Sequence, residues 1–450
     1  MISARAVAHS IAIAVALAVF AAVFAAGAAA QVTNTDINSD LPYSFLPPGA
    51  RSAGMGGAFT ALADDASAAY ANPAGLLQLS RPEVAVEVRH QSFETQLIDG
   101  PGSYRFSRGE VTSPPPYSSY GSETTGLSFL SYTYPRPTWS FGLFRTEVSR
   151  FALEAETETV DAAGFRQIGP RAIQADVGID VYGAAAAWRA LPRLWLGASA
   201  TLQTFDFSAR QLNTLDTDAE WGHRATGDDT AASATLGLLW RPDDAWRVGA
   251  SFRGGAEFDA DYEFTCGTIA TGARPAACRR EGVRDGEPLP SLSGETKFKV
   301  PDVFSVGVAW SPAPAFTASV QYDRIEYSQM LDGLRNNLTV ASAPDHYSIS
   351  DADDLHFGLE WRARRKPDGG LALRAGAWLE SEHSLRYSAD LDERYYRQEV
   401  AVALFSAPID DEWHATAGVG FTSGGRWQFD LAADLSKYRD AFVLSTVARF

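Results

Sequence analysis

Residues 425–437 read Gly425-Arg426-Trp427-Gln428-Phe429-Asp430-Leu431-Ala432-Ala433-Asp434-Leu435-Ser436-Lys437. In an extended chain Trp427, Phe429, Leu431, Ala433 and Leu435 fall on one face. Arg426, Gln428, Asp430, Ala432, Asp434 and Ser436 fall on the other, because successive side chains of a strand point to opposite sides. One wall is apolar and the other carries charge. The pattern recurs at 245–253, where Trp246, Val248, Ala250 and Phe252 oppose Arg247, Gly249, Ser251 and Arg253. It recurs again at 354–362, where Leu355, Phe357, Leu359 and Trp361 oppose His356, Gly358, Glu360 and Arg362.

Working outward, about fourteen such strands are predicted between Glu83 and Phe450: 83–98, 124–134, 138–157, 171–190, 193–208, 228–241, 245–264, 295–311, 315–330, 353–364, 370–383, 410–422, 425–437 and 440–450. Their connections alternate in length. Tight turns fall at Pro135-Arg136-Pro137, Leu191-Pro192-Arg193, Pro242-Asp243-Asp244, Pro312-Ala313-Pro314, Arg365 to Gly369 and Ser423-Gly424-Gly425. Pro presets φ there and Gly permits positive φ. Longer polar segments, including 209–227 and 265–294, join the other pairs. An even strand number with short turns at one end and long loops at the other predicts an all-β chain, a transmembrane antiparallel β-barrel. The apolar wall then faces lipid and the polar wall faces a lumen. Eight of the eleven tryptophans (Trp139, Trp188, Trp195, Trp240, Trp246, Trp310, Trp361 and Trp427) lie beside the tight turns, as an interfacial aromatic girdle requires.

Residues 1–30 read as a signal peptide: Arg5, an apolar run from Ile11 to Ala26, then Ala28-Ala29-Ala30 before Gln31. No later segment has the ~18 uncharged apolar residues of a spanning helix. The net charge of −17 argues against nucleic acid as a partner. The slightly negative mean hydropathy fits a barrel, in which only alternate residues meet lipid. Cys266 and Cys278 share one predicted loop. In an exported protein they are expected to form a disulfide. No metal is expected, since HExxH, CxxC and clustered His partners are lacking. No cofactor and no catalytic residue is expected either. His356, His383 and His414 have no Ser at a fixed spacing, so a barrel-embedded hydrolase is disfavoured.

Residues 31–82 do not read as strands. They contain Ala50-Arg51-Ser52-Ala53-Gly54-Met55-Gly56-Gly57-Ala58-Phe59 and then Ala63-Asp64-Asp65-Ala66, with Asn72-Pro73-Ala74-Gly75-Leu76 further on. A short helix is expected near 65–71, capped by Asp64 or Asp65 and ended by Asn72-Pro73. This stretch resembles the N-terminal segment of the FadL/TodX outer-membrane channels. The resemblance rests on Gly54 to Phe59 (with Gly56 and Gly57), Ala63-Asp64-Asp65-Ala66 and Asn72-Pro73-Ala74. Val300-Pro301-Asp302, with Trp310 downstream, also resembles a family segment. The resemblance implies three parts: a signal peptide at 1–30, a lumen plug at 31–82 and a fourteen-stranded barrel at 83–450. It implies passive uptake of long-chain fatty acids or aromatic hydrocarbons, gated by the plug. The Gly54-Met55-Gly56 form also resembles the PorV-type branch, which implies a docking barrel with a secretion-complex partner as the alternative.

Arg247, Arg253, Arg374 and His356 are the candidate lumen groups for a ligand carboxylate. The rival reading pairs them with lumen acids such as Glu360, Asp430 and Asp434. In the third strand, Trp139, Phe141 and Leu143 share the lipid face, and the same phase would carry Arg145 and Glu147 into lipid. A bulge at Leu143-Phe144 is therefore expected. The family resemblance implies a lateral opening there, around Gly142, Leu143 and Phe144. The final strand ends on an aromatic residue, Phe450, which resembles the signal read by the outer-membrane barrel assembly machinery.

Overall fold

The computed structural model describes residues 43–107, 110–162, 166–168, 170–215, 219–266, 292–331, 347–366, 369–387 and 411–450. Residues 1–30 and Cys278 lie outside these, so the signal peptide and the Cys266–Cys278 pairing are outside the described residues.

Fourteen antiparallel staves close into a barrel. They are β1 (Glu83–Ile98), β2 (Tyr117–Pro135), β3 (Trp139–Thr157), β4 (Arg171–Leu191), β5 (Leu194–Leu215), β6 (Ala219–Trp240), β7 (Trp246–Arg253 and Glu257–Cys266), β8 (Leu292–Lys299 and Val303–Ala313), β9 (Phe316–Ile325), β10 (Ala352–Lys366), β11 (Gly369–Glu380), β12 (Glu412–Ser423), β13 (Trp427–Leu435) and β14 (Arg439–Arg449). Each pairs with its sequence neighbour, and β1 pairs with β14 from Glu83↔Arg449 to Phe93↔Arg439. Closure leaves no free sheet edge within the apolar belt, as a lipid environment demands.

The alternation survives as a face assignment. Trp427, Phe429, Leu431 and Leu435 are exposed on the outside, while Asp430 and Asp434 are buried within. Seven of the eight tight-turn tryptophans are exposed. Trp195 is the exception, at 4% exposure. It lies on the inward parity of β5, beneath the guanidinium groups of Arg189 and Arg241.

Three expectations are corrected. First, 209–215 and 219–227 are strand, not loop: β5 and β6 run on through them, pairing from Trp240↔Leu194 to Ala219↔Leu215. The sequence pattern inverts there because water replaces lipid outside: Asp206, Ser208 and Arg210 are exposed, while Phe205, Phe207 and Ala209 are buried inside. Second, β7 and β8 are each interrupted, at 254–256 and 300–302. Pro301 has no N–H for a ladder, and the Gly255 N–H turns to Asp302 Oδ1 (2.7 Å). Third, the phase of β3 does not change at Leu143-Phe144. Phe144 faces inward and packs edge-on against Tyr70. The register slips later, between Glu147 and Ser149, so Val148 is the bulged residue.

Candidate functional site

The plug fills the tight-turn half of the lumen. Short helices at Ala50–Ala53 and Ala68–Ala71 and a 3-10 turn at Pro73–Gln78 are almost wholly buried against the wall. Tight turns built from Gly and Ala keep the plug compact. Gly56 (φ 62°) and Gly57 (φ 75°) adopt the left-handed region that side chains disfavour. Glycines on the inner wall let plug backbone approach closely. A methyl group at Gly197 or Gly237 would overlap Asn72-Pro73-Ala74, and one at Gly376 would overlap Met55-Gly56. Gly54 rests on Gly418 in the same way.

Polar bonds then lock this packing. Asn72 is extended (φ −156°) ahead of Pro73. Its Nδ2 donates to Thr60 O (2.9 Å) and to Leu238 O in β6 (3.0 Å), and its Oδ1 accepts from Ala74 N–H (3.2 Å). Phe59 and Thr60 N–H both donate to Gln321 Oε1 in β9 (2.9 and 2.8 Å). Asp65 caps its turn by accepting from Ser67 N–H (2.9 Å) and Oγ (2.6 Å). Asp64 instead pairs with Arg51 and with Arg247 of β7 (3.3 Å).

Three of the four candidate lumen groups are committed to acids. Arg247 pairs with Asp64. Arg374 bridges Glu360 Oε2 (2.8 Å) and Asp430 Oδ1 (2.7 Å), and Arg51 shares Glu360 (2.8 Å). His356 bonds Asp323 (3.2 Å) and the Gly56 carbonyl (2.8 Å). This is the pairing that buried charges require. Arg253 differs. It makes no ion pair among the described residues. It donates to Tyr70 Oη (2.8 Å) and lies 4.1 Å above that ring. Its Nε has no partner, and neither has Gln203 Oε1. Both residues line a narrow gap, about large enough for one water, with Phe45, Tyr70, Val148 and Val300. Inward parity on β7 places Arg253 in this set. The sequence carried no signal for Tyr70, whose partner is 183 residues away.

Above the plug, the β3–β8 side of the long-loop half of the lumen is apolar, while Asp354, Glu380, His414 and Arg439 line the β10–β14 side. Phe205 stacks on Phe258 (4.9 Å) and Phe298 (4.7 Å). Phe93, Phe151, Ile173 and Val177 continue this surface, while Glu154, Gln174 and Asp176 face outward. Tyr43 and Phe45 enter it from the N-terminal segment, against Phe298 and Tyr327.

Beside this chamber the wall has a seam. β2 and β3 pair only from Pro135↔Ser140 to Phe129↔Thr146. Beyond that point residues 117–128 and 147–157 share no backbone ladder, although β2 stays paired with β1 and β3 with β4. Bulges bracket the parting point, at Ser128 in β2 and Val148 in β3. Side chains take up the edge carbonyls of β3: Gln91 Nε2 on Arg150 O (3.2 Å), Ser122 Oγ on Ala152 O, and Tyr120 Oη on Glu156 O (2.7 Å). Gly142 and Phe144 lie below the seam against the plug, with Gly142 facing Ala69 and Leu76. Leu143 is exposed on the outer belt.

Residues 17–99 match an uncharacterised protein family, UPF0164. No curated protein matches the sequence. A solved FadL homologue from Pseudomonas aeruginosa is similar in structure, with a TM-score of 0.62 at 13% identity, over 94% of this chain and 100% of that one. The Pseudomonas putida toluene transporter TodX gives 0.58 at 15%, over 90% and 99%. The Ralstonia pickettii toluene transporter TbuX gives 0.56 at 15%, over 90% and 99%. At such identities the likeness is one of fold. This chain shares the barrel fold of the FadL and toluene-transporter structures.

Proposed function

We propose that this protein is an outer-membrane channel for passive uptake of hydrophobic small molecules, in the class of long-chain fatty acids and aromatic hydrocarbons. The inverted polarity of the long-loop half carries the reading. An aromatic chamber held above the apolar belt, polar outside and apolar inside, offers an apolar solute a place to leave water. A polar-solute pore has no use for it. The plug closes the way straight down. The lower end of the seam between β2 and β3, at Phe129 and Thr146, meets the edge of the apolar belt, so lateral exit there is the proposed route, with residues 31–82 as the occluding segment. The structural neighbours named as toluene transporters support the solute class by fold alone.

Within the site, Arg253 is the proposed contact for a carboxylate. Its Nε–H, unpartnered among the described residues, and the lack of an acid partner among them leave it able to take a charge-assisted bond, in exchange for its hold on Tyr70. Retention of a C16 fatty acid and of the equal-length alkane by the purified barrel tests this. The acid should bind to wild type and weaken about tenfold or more in Arg253→Gln, with the alkane unaffected. Equal loss of both ligands, or of neither, removes Arg253 from the site. If neither ligand binds and a stable protein partner copurifies in mild detergent, the secretion-docking alternative takes the place of uptake.

A further inference from the structure

We propose that the tight-turn rim of the barrel binds the phosphate headgroups of anionic phospholipids in the leaflet it faces. The chain carries a net charge of −17, yet this rim is basic. Arg81, Arg136, Arg189, Arg193, Arg241 and Arg426 all lie there, and none forms an ion pair among the described residues. Arg364-Arg365-Lys366 end β10 at the same rim. The acids nearby are engaged or few. Glu83 is paired with Arg449 (2.7 Å). Asp243 Oδ1 accepts from Ala245 and Trp246 N–H (2.8 Å each), capping its own turn.

Position assigns the ligand. Arg136, Arg193 and Arg426 sit in exposed turns, each within a few residues of an outward tryptophan: Trp139, Trp188 and Trp427. Those rings mark where hydrocarbon gives way to the polar interface. The next chemical layer is headgroup phosphate, and guanidinium offers it a fork of donors. The arginines are already arrayed toward it. Arg193 reaches across to the Pro242 carbonyl of the next turn, Arg136 lies over Tyr134 (4.7 Å), and the Arg426 guanidinium has no partner among the described residues. By contrast, the outer face of the long-loop half carries acids, Asp228, Asp229, Asp259 and Asp261 among them, on the bodies of β6 and β7. The two ends of the barrel therefore suit leaflets of different charge.

The test uses the folded full-length protein in nanodiscs of phosphatidylcholine mixed equally with phosphatidylglycerol, read by native mass spectrometry of retained lipid. Phosphatidylglycerol should be enriched about tenfold over phosphatidylcholine, given the attraction of each basic residue near an anionic surface. The enrichment should shrink in Arg136→Gln/Arg193→Gln/Arg426→Gln, and should be screened out at high salt. Lys297→Gln, at the opposite end, should leave it unchanged. If the triple variant fails to assemble, Arg136→Lys/Arg193→Lys/Arg426→Lys keeps the charge, and it should keep much of the enrichment. Equal retention of the two lipids by wild type overturns the proposal. Loss of the enrichment in added inorganic phosphate at matched ionic strength would also overturn it, by showing a free-anion site.

Discussion

At the residue scale, a few atoms hold the plug to the wall. Asn72 joins two carbonyls and one N–H, and one of those carbonyls belongs to β6. Asn72→Ala leaves these groups buried and unpartnered. It should cost about 1–3 kcal/mol, visible as a lower midpoint for the heat-induced loss of β-type circular dichroism. Gly237→Val drives a side chain into Asn72 and Pro73 and should cost about 1–3 kcal/mol by overpacking. A midpoint unchanged in both variants would show that the plug is not seated on β6. Cys266 ends the second segment of β7. If it pairs with Cys278, mass spectrometry of membrane-extracted protein should find the Cys266 peptide joined to the Cys278 peptide, and two free thiols would refute it. The lumen cations were legible as inward residues from strand parity alone. Which of them was neutralised was not, because Asp64 and Arg51 come from the plug and meet Arg247 and Glu360 only in three dimensions.

At the scale of the element, alternation placed most strands closely; β1 spans Glu83–Ile98 in the structure, as its pattern indicates. Alternation misled where the surroundings changed. A period of two marks a strand whichever side is apolar, but the reading assumed lipid outside throughout. In β5 and β6 the outer solvent becomes water, so the polar tract at 209–227 looked like loop. The contradiction in β3 was real, but its resolution lay elsewhere. Arg145 stays at the edge of the apolar belt by pairing with Asp180 of β4 (2.6 Å), so the slip is delayed to Val148. The seam is the element at which lateral exit is proposed. Glu123→Cys with Ala152→Cys, which share the outward face on either side of the seam, should bridge it on oxidation. If solute leaves there, uptake of a labelled long-chain fatty acid should fall at least about tenfold and recover on reduction, an effect as large as closing the only apolar exit implies. Uptake at the wild-type rate in the oxidised, folded barrel would instead favour passage to the periplasm.

For the whole molecule, closure of the sheet and a filled lumen are separate properties. A barrel of fourteen strands is wide enough for water when empty, and the plug removes that path. Deleting residues 50–75 should raise single-channel conductance in planar bilayers by several-fold or more. A deletion variant that assembles with unchanged conductance would mean that these residues do not occlude the pore. The intact protein should also shift in gel mobility on heating, as closed barrels do when their ladder is lost, and recovery in the soluble periplasmic fraction without such a shift would contradict the barrel's membrane residence.

The sequence by itself determined the number of staves, the inward and outward faces of belt-spanning stretches such as 427–435, the end that bears the tight turns and the existence of a non-strand segment before Glu83. All of these follow from local rules: a two-residue period, turn chemistry and the avoidance of charge in hydrocarbon. The tertiary structure alone decided that Arg253 stands without an acid among the described residues, that the wall parts between β2 and β3, and that aromatic side chains from β5, β7 and β8 meet above the plug. Each depends on residues far apart in the chain brought together by barrel closure, and no local period encodes which distant strand a side chain will face.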